Sequence, residues 1–155
     1  MMRTPQIQSK VYEYKLTAKS LAAEPISVKD SKEMYDFLID NVYEKDTMSV
    51  FESSYAVFVD SSGNTKGFIK VSQGGVDGVI VDPKIVFSAA LKCLASGIIF
   101  THNHPSGSPK PSSVDDELTK RLAEAGKILT IKLIDHIVVG KDCYYSYNDH
   151  GRIER

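Results

Sequence analysis

The sequence predicts an α/β domain in which a mixed β-sheet is flanked by helices. Three observations carry that expectation. Apolar residues recur at helical spacing in three segments, short β-rich apolar runs fall between them, and no internal repeat or linker interrupts the order. With 155 residues and 42% hydrophobic content, one core can form without disulfides or a structural metal.

The first 26 residues form an N-terminal extension whose role stays open, and the domain is expected to run from 27 to 155. Within the extension, Val11 to Leu16 alternate as an edge strand would. Met34, Phe37, Leu38 and Val42 then mark an amphipathic helix, preceded by the capping signal Ser27-x-x-Asp30. Tyr55 to Val59 is a short apolar run ending in the turn composition Asp60-Ser61-Ser62-Gly63-Asn64, and Gly67 to Ser72 makes the return strand of a hairpin. Gly74, Gly75 and Gly78 form a loop that could border a cleft. Asp82-Pro83 is an N-cap and first-turn pair; Val86, Phe87, Ala90, Leu91 and Leu94 keep one helix face apolar until Gly97 is expected to end it. A strand follows at Ile98 to Thr101. Val114, Leu118, Leu122 and Ala125 mark a third helix, closed by Gly126, and residues 128 to 139 and 143 to 147 read as two more strands.

Composition narrows the function classes. A net charge of −1 leaves no basic excess, so direct nucleic-acid contact is not expected. Cys93 and Cys143 stand fifty residues apart in no metal-ligand spacing, no secretory leader is evident, and no apolar run approaches the roughly 20 residues a membrane-spanning helix requires. A reduced, cytoplasmic protein is the expectation.

The chemistry concentrates in FTHNHPSGSPKPS, residues 100 to 112. On a strand, residues two apart share a face, so His102 and His104 can aim a ring nitrogen at one point while Asn103 faces away. That suits a divalent metal, and a catalytic zinc typically takes three protein ligands. Asp115, in the first turn of the next helix, is the candidate third ligand, brought back by a loop stiffened by Pro105, Pro109 and Pro111. Ser112-x-x-Asp115 is equally a helix-capping arrangement, and the same spacing occurs at Ser27 and Asp30 with no histidine nearby.

His102-x-His104, seven residues, then Ser112-x-x-Asp115 resembles the JAMM motif of the MPN/JAB-type zinc hydrolases, which include deubiquitinating isopeptidases. The match is closer to the RadC-like branch, whose run HNHPSGxPxPSxxD is met by residues 102 to 115. Residues 81 to 87, 133 to 140 and 144 to 151 are also similar to that branch, so the resemblance covers roughly 27 to 151. It implies a single MPN/JAB-type domain with layering like that of the cytidine deaminases, and one zinc ion (Zn2+) held by His102, His104 and Asp115. It also implies a general acid-base glutamate upstream. Glu52 fits, eight residues before Asp60 as in the family's spacing. Ser112 would donate a hydrogen bond to a developing oxyanion. The implied reaction is hydrolysis of a peptide or isopeptide bond in a peptide or protein substrate. A non-catalytic scaffold acting through a protein partner, in DNA maintenance or on a mobile element, is the alternative. The branch was formerly linked to DNA repair, which nothing in this composition supports.

Two departures from the branch stand out. Its helix-hairpin-helix module has no room in the leading residues, which predicts a stand-alone catalytic-type domain. Where the branch has His-Pro-Arg-Glu, this chain has Asp82-Pro83-Lys84-Ile85. An HNH nuclease would need a ββα unit and a basic groove, and a nucleobase deaminase would need HxE followed by PCxxC, which is absent. His136 could serve the core or contact the site, and His150 is expected in solvent.

Overall fold

A computed structural model describes residues 25–74 and 80–154. The expected strand at Val11 to Leu16 and the glycines at 75 and 78 lie outside the described residues. Five strands, β1 (Ser53–Val59), β2 (Thr65–Gln73), β3 (Gly97–Asn103), β4 (Lys132–Val139) and β5 (Tyr144–Ser146), form one mixed sheet in the order β2-β1-β3-β4-β5. The helices are α1 (Ser31–Asn41), α2 (Pro83–Lys92) and α3 (Ser113–Leu129). Among the described strands only β3 and β4 pair in parallel, and α3 is the crossover such a pair requires.

Side-chain alternation sorts the two central strands into faces. Tyr55, Val57, Val59 and Ile99 pack with Met34, Phe37 and Leu38 of α1, whereas Ala56, Phe58, Ile98 and Phe100 pack with Val86 and Phe87 of α2 and Leu122 of α3. The result is a three-layer α/β/α domain whose β1 and β3 are buried along their whole length.

The elements expected within the described residues are present, with four boundary corrections. Helix α1 begins after Asp30, whose own carboxylate caps it by accepting from the Glu33 amide at 2.8 Å; Ser27 instead makes an isolated bridge with Asn64. Helix α2 starts at the expected Asp82-Pro83 pair but ends at Lys92, with Leu94 in the left-handed region (φ 51°), so Gly97 opens β3 rather than closing a helix. Helix α3 runs through Gly126 to Leu129 and turns at Thr130 (φ 57°), so residues 128 and 129 are helical rather than part of β4. Gly126 is there for space: a Cβ at that position would stand 2.3 Å from the Ile131 carbonyl oxygen. Both cysteines are free and half-buried.

This topology fixes where a site can form. Helix α3 returns antiparallel to β3, so its N-terminus comes back to the C-terminal end of that strand, the end where open α/β sheets bind ligands. The histidines finish β3 and Asp115 starts α3.

Candidate metal centre

The even-numbered face of β3 continues through Ile98 and Phe100 to His102, and His104 follows just past the strand end. His102 Nε2 lies 3.0 Å from His104 Nε2 and 3.1 Å from Asp115 Oδ1, while His104 Nε2 lies 3.6 Å from Asp115 Oδ2. Among the described residues, His102, His104 and Asp115 form the cluster whose candidate ligand atoms all fall within 4.8 Å of one another.

Helix capping holds the carboxylate in place. Ser112 is the N-cap of α3, its hydroxyl accepting from the Asp115 amide at 3.2 Å. In return Asp115 Oδ2 accepts from the Ser112 amide and hydroxyl, both at 2.7 Å. A carboxylate at the third residue of a helix also lies in the favourable field of the helix N-terminus. Burial pushes the Asp115 carboxyl up, but the two imidazoles beside it, His102 first, and the hydrogen bond from the Ser112 amide outweigh it and hold the group well below the usual carboxylate range. The capping and ligand readings of Ser112 and Asp115 are therefore one arrangement.

The donor set fits a cation. His104 Nδ1 lies 2.9 Å from the Ser108 carbonyl oxygen, which can only accept, so the neutral ring carries its hydrogen there and presents a bare Nε2 to Asp115 and His102. A lone pair and a carboxylate facing each other repel unless a proton or a metal ion stands between them. In the protein alone the Asp115 carboxylate raises the proton affinity of His104, against the opposing effect of burial. A tetrahedral ion such as zinc, which takes imidazole nitrogen and carboxylate oxygen, meets the same need.

A sequence model of the RadC-like JAB domain matches residues 28–152. The chain belongs to the RadC-like JAB domain family. Curated relatives agree with that placement. A UPF0758 protein of Thermotoga maritima is 33% identical over 136 residues, covering 87% of this chain and 59% of its own length. One from Aquifex aeolicus is 35% identical over 126 residues (81% and 52%). Another, from Flavobacterium johnsoniae, is 39% identical over 100 residues (64% and 44%). The chain thus spans about half the length of the relatives it matches.

In this JAB domain Glu52, just before β1, is half-buried and lines the same cavity of about 920 Å3 as His102, His104, Ser112 and Asp115. Ser54 pairs with His102 across β1 and β3, so Glu52, just before β1, lies at the end of the sheet where His104 follows β3. Burial raises the Glu52 carboxyl above its ordinary value, while the two histidines oppose the shift. Asp60, its partner in the family spacing, lies at the other end of β1, where it accepts hydrogen bonds from Ser62 and Asn64 and shapes the hairpin turn.

Two contributors to the site were not anticipated in these roles. Asn103 does face away from the ligands, but it is 1% exposed and bonds the Glu52 loop: its Oδ1 accepts from the Ser53 amide at 2.9 Å, and its Nδ2 donates to the Met48 and Phe51 carbonyls at 2.8 and 2.9 Å. Thr119, on the inner face of α3, touches His136, and His136 touches His102. Only the strand register reveals this, because Phe100 pairs with His136 across β3 and β4. His150 is exposed as expected, stacked on Tyr145. Among the described residues no helix is long and apolar enough to cross a membrane.

Proposed function

We propose that this RadC-like JAB domain is a zinc-dependent hydrolase of the JAMM type, cleaving a peptide or isopeptide bond in a cytoplasmic peptide or protein substrate without direct nucleic-acid contact. The observation that carries the reading is the convergence of His102, His104 and Asp115 in one cavity that Glu52 also lines. When bound there, zinc would supply Lewis acidity towards a carbonyl oxygen and lower the pKa of water.

The chain's own groups supply the rest. Glu52 accepts the proton of the attacking water and passes it to the leaving amine; burial moves its carboxyl towards neutrality, which suits a group that must both take and return a proton. Ser112 holds Asp115 through its hydroxyl hydrogen, and its place on the cavity wall lets that hydroxyl turn to an oxyanion once a cation occupies Asp115. The same cavity is also lined by the apolar Ile80, Val81, Phe100, Val114 and Leu118, which suits a substrate with an apolar side chain beside the scissile bond.

The test compares wild type, Glu52→Gln and Ser112→Ala on a panel of peptide and isopeptide-linked substrates, with zinc content and Tm measured in parallel. Glu52→Gln is expected to keep zinc and fold but lose turnover; Ser112→Ala is expected to lose about a hundredfold. Cleavage by Glu52→Gln at the wild-type rate would sink the mechanism, and no cleavage by any protein would favour the scaffold alternative.

A further inference from the structure

A histidine can hold a metal through Nε2 only if its single neutral-state hydrogen sits on Nδ1, and for His102 the hydrogen's position is decided by residues that never reach the cavity. His102 Nδ1 lies 2.9 Å from His136 Nε2, and His136 Nδ1 lies 2.6 Å from Thr119 Oγ1. His136 is fully buried and Thr119 is 3% exposed, so no solvent competes. Two neutral rings and a hydroxyl in a row can be ordered in two directions. Either each hydrogen points from His102 towards Thr119, leaving His102 Nε2 bare, or each points from Thr119 towards His102, putting a hydrogen on Nε2 and closing the site to a metal.

One contact decides between them. Thr119 Oγ1 also stands 2.6 Å from the Asp115 backbone oxygen, a separation two oxygens hold only with a hydrogen between them. A carbonyl cannot donate, so that hydrogen is Thr119's own. Thr119 can then only accept from His136 Nδ1; His136 Nε2, in a neutral ring, can only accept from His102 Nδ1. The His136 ring is kept in this orientation by Tyr147, stacked on it at 4.8 Å with an interplanar angle of 5°, and by the edge contact with Phe100 at 5.0 Å.

We propose that Thr119 and His136 are positioning residues that set the tautomer of His102, so that its Nε2 lone pair faces Asp115 and His104 before any metal arrives. Metal-bound histidines commonly have the second nitrogen oriented by a carboxylate or a carbonyl. Here a second imidazole takes that place, and an α3 hydroxyl bonded to the backbone of the third candidate ligand, Asp115, orients it. The inference rests on the zinc reading above for its purpose but not for its geometry.

The experiment records long-range 1H–15N correlations of the histidine rings in the metal-free full chain at pH 8, for wild type, Thr119→Val and Thr119→Ser. Zinc affinity follows from competition with a chromophoric chelator. Wild type should carry the His102 hydrogen on Nδ1. Thr119→Val, nearly isosteric but without a hydroxyl, should move a large share of it to Nε2 and weaken zinc binding about 10- to 100-fold, the usual effect of losing such a partner. Thr119→Ser should restore both. A wild-type His102 with its hydrogen on Nε2 overturns the proposal, and so does a folded Thr119→Val protein in which His102 stays as in wild type, whatever its zinc affinity. Should Thr119→Val fail to fold, the wild-type spectrum decides by itself, since the position of the His102 hydrogen is read there directly. A correct tautomer in a chain that takes no zinc would instead sink the metal reading and leave this arrangement standing.

Discussion

Asn103→Ala separates the two halves of the site. The side chain lost is 1% exposed and makes three hydrogen bonds, all to the backbone of the segment that carries Glu52. The Ser53 amide, on a residue 5% exposed, loses its acceptor, and an unsatisfied buried donor costs about 1–3 kcal/mol. The Met48 and Phe51 carbonyls belong to a half-buried and an exposed residue, so water relieves part of their loss, at roughly 0.5–1 kcal/mol each. Together the change should destabilise the fold by about 3 kcal/mol, or roughly 6–12 °C in Tm for a chain of this size. Zinc affinity should stay within about threefold of wild type, because Asn103 faces the α1 side of the sheet and the three candidate ligands face the other. Turnover of any cleaved substrate should fall further than zinc affinity does, as Glu52 loses its fixed position. Thermal melts and chelator competition on one protein preparation suffice. A Tm shift below about 2 °C, or a loss of zinc binding as large as that of a ligand variant, would refute the reasoning.

His102→Ala and Asp115→Ala should each abolish stoichiometric zinc in elemental analysis, and full retention in both would overturn the ligand assignment. Chelation of wild type should leave the far-UV circular dichroism intact, since both core clusters lie in the layers between sheet and helices and a core of this size needs no metal to fold. Gly126→Ala should destabilise despite alanine's higher helix propensity, by about 1–3 kcal/mol in a denaturant titration, because the new Cβ would meet the Ile131 carbonyl oxygen at 2.3 Å. Burial raises Asp135 to about 6, against the hydrogen bonds it accepts from Ser146, Asn148 and the His136 amide. Its protonated form is therefore favoured on folding, and that contribution is full below about pH 4 and lost as pH rises through about 6. At 1.36 kcal/mol per unit, the stability of wild type relative to Asp135→Asn should fall by about 3 kcal/mol between pH 4 and pH 7, measured by urea unfolding.

Legibility of this protein from its sequence followed the range of the interactions. The period of two in β3 and the capping geometry of α3 are local rules, so His102, His104 and Asp115 could be placed before any strand was paired. Helix starts at Asp82-Pro83 and Ser112 were equally readable, because an N-cap acts within three residues. Glycines misled at the helix ends. Gly97 and Gly126 look like stop signals, but both sit where a neighbour approaches: a Cβ at Gly97 would stand 2.5 Å from the Ile134 side chain, and at Gly126 it would meet the Ile131 backbone. The actual stops use Leu94 and Thr130 in left-handed conformations, residues whose own preferences argue against them.

The contacts behind the candidate ligands were harder to read for a different reason. His136 reaches His102 only because β3 and β4 pair in parallel with Phe100 opposite His136, and a register shift between Ile98 and Ile99 helps set that match. Thr119 reaches His136 only because it lies one helical turn after Asp115, so the helix that presents the carboxylate also presents the hydroxyl on the same face. One helix thus serves the site twice, once through its cap and once through its next turn. It follows that a change in how α3 sits on the sheet should disturb Asp115 and the His102 tautomer together. Substitutions at Leu122, which anchors α3 in the core one turn further on, should therefore lower zinc affinity without touching the site, in proportion to the stability they cost.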